Sequence, residues 1–297
     1  SASLREILQQ KTCVSSNTMQ TFLRAKDGTT KFIMELPDGE SVECVLIVQK
    51  EHLTACLSSQ VGCNVGCPSC ATGLSGFRKN LTPADIVDQY LFMQMKLKEG
   101  FLSDFTSQQR IKQIVFMGMG EPLLNYSSVL KSIQILNQEI GIGIRHITLS
   151  TVGILPKIYQ LMEEPIAYNL AISLHSVDQE LRNQLVPINR KYPVAELLKA
   201  ARLYAEKTKR RITFEYTLLK GVNDSLKAAA EMTKALKGIH CHINLIAYNP
   251  VDSHYKAPSS EQITAFIQTI KAAGYPVTLR ANHGQDQMAA CGQLRTL

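Results

Sequence analysis

Cys63-Asn-Val-Gly-Cys67-Pro-Ser-Cys70 places three thiols within eight residues, at spacings of four and three, with a glycine that lets the loop curl. Such a loop can wrap one inorganic centre. Structural zinc sites need four ligands and usually draw them from two paired knuckles, and the sequence has no second knuckle. Iron–sulfur clusters are held by thiolates, and a set of three leaves one iron free to bind something else. The residues alone leave open that these are ordinary buried thiols, or a zinc site completed by Cys56, Cys44 or a histidine. The chain has eight cysteines, Cys13, Cys241 and Cys291 being the others. A chain this long needs no disulfide staples, so the crowding of three of them reads as metal binding.

The elements that must position this loop are legible from about residue 53 onward. Apolar runs at 53–58, 113–117, 146–150, 169–173, 212–218 and 242–246 alternate with helical stretches and predict six βα units. Thr82 as cap, Pro83 at the first helical position and Gly100 past the end bound the first long helix. Asp224 ahead of 225–237 is a similar signal, and a helix at about 260–273 precedes a short strand at 276–280. Earlier, runs at 31–36 and 41–50 flank Pro37-Asp38-Gly39-Glu40, which predicts a β-hairpin. The expected division is a β-hairpin extension over 1–50 and a larger α/β unit over 51–297.

Repeated βα units require right-handed crossovers and a parallel sheet, either doubly wound or a full or partial barrel, with function at the carboxyl ends of the strands. The cysteines, Gly118-Met119-Gly120-Glu121-Pro122, Ser150-Thr151, Ser173-Leu174-His175 and Asn249-Pro250 all fall at such ends. One mouth should collect them.

Composition narrows the class. Of 297 residues, 45% are hydrophobic and 19% charged, which excludes a disordered chain. No apolar run approaches the ~20 residues needed to cross a bilayer, and no basic-then-apolar leader opens the sequence, so the expectation is a cytoplasmic monomer without membrane contact. Lys and Arg exceed Asp and Glu by 32 to 25, and the net charge of +7 favours an anionic partner. The basic pairs Arg78-Lys79 and Arg190-Lys191 and the cluster 207–211 would supply phosphate contacts or simply face water.

The CxxxCxxC loop after the first strand resembles that of the radical S-adenosylmethionine (SAM) enzymes. Reading outward, Ser58-Ser59-Gln60-Val61-Gly62-Cys63, Gly118-Met119-Gly120-Glu121-Pro122, Ala171-Ile172-Ser173-Leu174-His175, Val186-Pro187-Ile188-Asn189 and Ala289-Ala290-Cys291-Gly292-Gln293-Leu294 resemble, in order, the RlmN/Cfr methyltransferases. The resemblance implies a partial (β/α)6 TIM-like radical SAM barrel and a 4Fe-4S cluster held by Cys63, Cys67 and Cys70. It implies SAM held by Gly120, Glu121, Ser150, Ser173, Leu174, His175 and Asn249, and RNA as substrate, with 23S ribosomal RNA implied and transfer RNA allowed. An electron donor such as flavodoxin or ferredoxin is implied too.

An adenine carbon bonded to hydrogen is too poor a nucleophile to attack a sulfonium methyl directly. The resemblance implies the way round: Cys291 takes a methyl group, a second SAM yields the radical that activates it, and the carbon adds to the base. Cys56 then resolves the adduct by a disulfide, and Glu43 accepts a proton. By residue type alone, Glu43 would be a strand glutamate facing water, and Cys56 and Cys291 buried apolar thiols. Cys13, Cys44 and Cys241 match nothing.

Phe77-Arg78-Lys79-Asn80-Leu81 and Glu121-Pro122-Leu123-Leu124-Asn125 resemble the carbon-2 branch more than the carbon-8 branch. Ser69 stands where the family usually has an aromatic residue, and Gln287-Met288 departs from its pattern near Cys291. The additional helical domain with which members usually begin is expected to be lacking here. The alternatives are a carbon-8 methyltransferase, a radical SAM enzyme with another substrate, and a zinc-stapled RNA-binding module.

Overall fold

The computed structural model of the chain describes residues 15, 17–49, 52–100, 110–251 and 254–295. Cys13, and Lys50 at the end of the predicted hairpin, lie outside the described residues. A ten-stranded sheet runs in linear order through β1 (Thr18–Arg24), β2 (Thr30–Glu35), β3 (Ser41–Gln49), β4 (His52–Cys56), β7 (Gln113–Phe116), β8 (Ile147–Thr151), β9 (Asn169–Ser173), β10 (Ile212–Leu218), β11 (Cys241–Ala247) and β12 (Val277–Arg280). The first four strands pair antiparallel, and every pairing from β4 to β12 is parallel. A separate two-stranded ribbon joins β5 (Gln60–Gly62) to β6 (Phe77–Asn80).

The strands sort their side chains by the period of two. On β10, Phe214 and Tyr216 face outward, where Tyr216 packs on Phe266 with ring centroids 5.5 Å apart, while Glu215 and Thr217 face one central cavity. Side chains from the ends of β7 to β11 reach that same cavity. The parallel part is therefore a curled, open sheet, the predicted partial barrel of six βα units, with β12 as a seventh parallel strand.

Helices cover the outer face. Pro83–Lys98 starts with Thr82, whose hydroxyl accepts from Asp85 N while the Asp85 carboxylate accepts from Thr82 N, a reciprocal cap worth about 1 kcal/mol. Its Ile86, Tyr90 and Met93 are buried against the sheet. Leu226–Ala235 is capped by Ser225, not Asp224; the Asp224 carboxylate instead accepts from Gly221 N in the preceding turn. Ser260–Ala272 forms as predicted.

Two elements escape the sequence pattern. Strand β1 is an edge strand with most side chains exposed and a bulge between Met19 and Thr21, so no apolar alternation marks it. The ribbon β5–β6 is three and four residues long, below the length at which a period shows. The predicted hairpin exists, as the middle of a meander whose β3 continues into β4 from Val45 opposite Cys56 to Gln49 opposite His52.

Candidate functional site

The cysteine loop is shaped by glycines. Gly62 has φ +73°, and a Cβ there would stand 1.8 Å from Gly76 O, the atom that accepts from Cys63 N at 2.8 Å. A Cβ on Gly73 would come within 2.9 Å of Cys67 N and 2.8 Å of Cys67 O. Only with bare backbone at these two positions can the loop close on itself. The side chains of Cys63, Cys67 and Cys70 then share the wall of a cavity of ≈ 170 Å³. Burial pushes the Cys63 thiol up to about 12 and raises those of Cys67 and Cys70. Among the described residues, no three His, Cys, Asp or Glu side chains are arranged to hold a single metal ion.

The neighbouring loop, 117–121, is stitched to 57–60. Met119 N donates to Ser58 Oγ at 2.7 Å, and Glu121 N to Gln60 Oε1 at 2.8 Å. Gly120, φ +96°, is required by Gln60, whose Cβ would lie 2.5 Å from a Cβ at this position. Glu121 is buried and lines the cavity, accepting from Thr151 Oγ1 at 2.7 Å, Val152 N at 2.9 Å and Leu123 N at 3.0 Å. Burial pushes its carboxyl up to about 7 against those three donors.

Ser150, Ser173 and His175 line the same cavity. His175 sits in the left-handed region at φ 58°, and its Nδ1 accepts from Thr217 N at 3.0 Å, which leaves the proton on Nε2. Burial first, then the nearby Arg182 guanidinium, depresses the ring to about 3, so it is a neutral donor. Leu174 is fully buried and lines nothing; its backbone serves the site, its carbonyl accepting from Arg182 Nε at 2.9 Å. Asn249 is 3% exposed, donates from Nδ2 to Cys291 O at 3.1 Å, and leaves Oδ1 with no partner among the described residues. A buried amide oxygen without a donor, beside a carboxylate and three thiols, fits a bound ligand that carries hydrogen-bond donors.

Cys291 lines this cavity and also a second, of ≈ 30 Å³, which it shares with Cys56, Met117 and Arg280. Arg280 Nη1 approaches Cys291 Sγ at 3.5 Å and Met117 Sδ at 3.4 Å. Both thiols are free, and burial, then the facing Cys291, pushes Cys56 up to about 12. The segment bearing Cys291 is held from elsewhere: Gly292 O accepts from Ala71 N at 2.7 Å, Gln293 Nε2 donates to Pro250 O at 2.9 Å, and Asp27 Oδ2 accepts from Gly284 N at 3.1 Å.

Glu43 lines neither cavity. It is 1% exposed rather than facing water, pairs with Lys31 Nζ at 2.9 Å and accepts from Arg295 N at 3.0 Å, so it anchors the end of the Cys291 segment. Sequence reading missed Glu215, a cavity-lining carboxylate bonded by Asn244 Nδ2 at 3.0 and 3.1 Å, although an acid inside the apolar run 212–218 was a visible signal. It missed Arg280 and Arg182 as well, which no short-range pattern marks.

A sequence profile of the Radical SAM superfamily matches residues 57–233. The chain is 48% identical to a probable dual-specificity RNA methyltransferase RlmN of Dictyoglomus thermophilum, over 93% of this chain and 78% of that protein. It is 45% identical to the similarly named protein of Geobacillus thermodenitrificans, over 98% and 79%. The crystal structure of a radical SAM methyltransferase from Sphaerobacter thermophilus superposes with a TM-score of 0.93 at 41% identity, covering 99% of this chain and 86% of that one.

Proposed function

Since the chain belongs to the RlmN family of radical SAM RNA methyltransferases, we propose that it methylates carbon 2 of an adenosine through a cysteine-borne methyl group, with 23S ribosomal RNA and transfer RNA as substrates. The observation that carries this reading is the position of Cys291, whose side chain lines both the cavity of the three cysteines and the small cavity of Cys56. A methyl carrier has to meet a donor on one side and a resolving thiol on the other.

Cys63, Cys67 and Cys70 would hold a 4Fe-4S cluster, and Glu121, Ser150, Ser173, His175 and Asn249 would hold SAM. Bound there, the two would supply the methyl group and the one-electron chemistry that activates it, the electron coming from a flavodoxin or ferredoxin. Glu121 is suited to an ammonium group, since its fixed oxygens already accept three hydrogen bonds and a cation would hold the carboxylate ionised. Gly120 leaves the backbone of its loop pressed on Gln60, which fixes where Glu121 points. His175 Nε2–H donates and Asn249 Oδ1 accepts, a pair suited to a nucleoside edge.

Arg280 Nη1, 3.5 Å from Cys291 Sγ, would hold in place the sulfur that takes the methyl group. The adduct formed when the methylene radical adds to the base would first give up one electron, to the oxidised cluster that the three cysteines would hold, and the proton on carbon 2, which a carboxylate takes. Cys56, as thiolate, would then attack the Cys291 sulfur. The S–S bond forms, the C–S bond breaks, and its electron pair returns to the carbon, which takes up a proton. Glu121 and Glu215 are the carboxylates that line the cavity among the described residues, and Glu43 reaches the site only through the segment it anchors. With Glu121 given to the ammonium group, the proton acceptor would be Glu215, or Glu43 if its segment moves.

The test is anaerobic reconstitution with iron and sulfide, then incubation with SAM, a reductant and ribosomal RNA, with nucleosides resolved by mass spectrometry. The reading predicts a brown protein and 2-methyladenosine. A colourless protein holding only zinc refutes it, and 8-methyladenosine would move the chain to the carbon-8 chemistry.

A further inference from the structure

Among the described residues Arg182 is the largest fully buried side chain, 0% exposed, on the helix Gln179–Leu185. Its guanidinium donates from Nε to Leu174 O at 2.9 Å, from Nη2 to Val152 O at 2.7 Å and Ser173 O at 3.0 Å, and from Nη1 to Asn189 Oδ1 at 2.6 Å. All four acceptors are neutral. Among the described residues no carboxylate forms an ion pair with it. Glu121 lies across the Val152 peptide and spends its oxygens on Thr151, Val152 N and Leu123.

A buried cation without a counter-charge is costly, and natural interiors almost always pair one. Carbonyl dipoles satisfy the donors without neutralising the charge. Cys67, which becomes anionic only as a ligand thiolate, is the group whose charge would act on Arg182, and the geometry agrees: Cys63 and Cys67 pack against the cluster formed by Val65, Leu185 and Val186, with Leu181 of the same helix. The Val186-Pro187-Ile188-Asn189 motif, which has no chemical role of its own, acquires one here. Asn189 is fully buried and aims its Oδ1 at Arg182, while its Nδ2 is held by Gln179 O at 3.2 Å and Asn183 Oδ1 at 2.7 Å.

We propose that Arg182, oriented by Asn189, is the built-in counter-charge of the iron–sulfur cluster: a positioning residue that fastens the ends of β8 and β9 and makes the cluster easier to reduce. This rests on the reading of Cys63, Cys67 and Cys70 as its ligands. A four-iron core of charge 2+ held by three thiolates carries one net negative charge, and two after it accepts an electron. A fixed cation favours the second state more than the first. The charges of the site then match in pairs, Glu121 with the ammonium of SAM and Arg182 with the cluster. Arginine suits the task because its planar fork reaches three carbonyls on two strands at once.

The test is a potentiometric titration with dithionite, followed by electron paramagnetic resonance, on reconstituted wild type, Arg182→Lys, Arg182→Gln and Asn189→Asp. Melting of the cluster-free forms first establishes that each is folded. Arg182→Gln removes the charge and should shift the midpoint potential negative; Arg182→Lys keeps the charge and should stay near wild type. Asn189→Asp leaves the arginine in place and sets a carboxylate against it, so it too should shift the potential negative. It carries the test if Arg182→Gln does not fold. A folded Arg182→Gln that loads no iron where Arg182→Lys does is equally supportive.

Wild-type potentials in both Arg182→Gln and Asn189→Asp would overturn the proposal. So would a shift in Arg182→Lys as large as in Arg182→Gln, or loss of the cluster from a folded Arg182→Lys, since the hydrogen-bond fork rather than the charge would then be at work. A wild type that binds no four-iron cluster would instead refute the underlying reading.

Discussion

Two segments bring cysteines to one cavity by opposite means. The loop 57–76 is shaped by its own sequence: Gly62, Gly66 and Gly73 turn it, Cys63 N bonds to Gly76 O, and Cys70 N bonds to Cys67 O. The segment 281–295 is shaped by residues far away in the chain. Asp27, Lys31 and Glu43 hold it on the meander side, Ala71 and Asn249 on the barrel side. A set of ligands can be rigid, and short-range geometry is enough for it. A carrier that must meet two partners in turn is better hung from several separate contacts, each worth about 1 kcal/mol, than built into a turn.

The contrast can be broken most sharply at Gly62. Gly62→Ala forces a Cβ against Gly76 O in a left-handed conformation, and should cost about 2–4 kcal/mol in urea unfolding together with loss of bound iron. The Cys291 segment, which besides Ala71 is anchored by Asp27, Lys31, Glu43 and Asn249, should keep most of its protection from proteolysis. If Gly62→Ala keeps both stability and iron, the loop is not self-shaped.

Glu121 sharpens the same contrast, because its place is fixed by the stitching of 117–121 to the cysteine loop. Glu121→Gln should weaken SAM binding about tenfold or more, measured by calorimetry, as expected for loss of a charge-assisted contact. The pH dependence has a definite sign. The carboxyl titrates near 7 in the ligand-free fold, above the usual carboxylate range, so its contribution to the stability of the ligand-free chain is full below about 4.5 and is lost as pH rises through 7. SAM affinity should run the other way, rising with pH through about 7 in wild type and staying flat in Glu121→Gln.

The smallest effect is expected at Asp27, remote from all chemistry. Its carboxylate accepts from Thr29 N at 3.0 Å and Gly284 N at 3.1 Å and pairs with His283 at 3.1 Å. Asp27→Ala should slow methylation of Cys291 roughly fivefold, the order of one lost hydrogen bond, and open the chain to protease near residue 283 while iron content is unchanged. Loss of iron in this variant would mean that the two segments are not held independently.

The same difference decides what was legible in the sequence. Strands and helices followed from period and caps, and the cysteine loop from spacing, because each is a local property. Asp224 and Ser225 both suit a cap, and only the fold decides that the aspartate serves the turn before. Glu43 shows the limit more clearly. The resemblance implied a proton-accepting role for it, and its surroundings are Lys31 and Arg295 N, contacts set by a sheet register and by the chain's far end. Arg182 was invisible for the same reason, since a lone arginine on a short amphipathic helix ordinarily faces water.

The central claim is that Cys291 carries the methyl group between the two cavities and that Cys56 releases it. The most direct measurement is the fate of RNA in Cys56→Ala, with Cys291→Ala as its control. After turnover with SAM and reductant, Cys56→Ala should hold RNA covalently at the Cys291 peptide through one added carbon, seen by gel and by mass spectrometry, and Cys291→Ala should hold none. Free methylated adenosine released by Cys56→Ala at the wild-type rate, with no crosslink, would contradict the account.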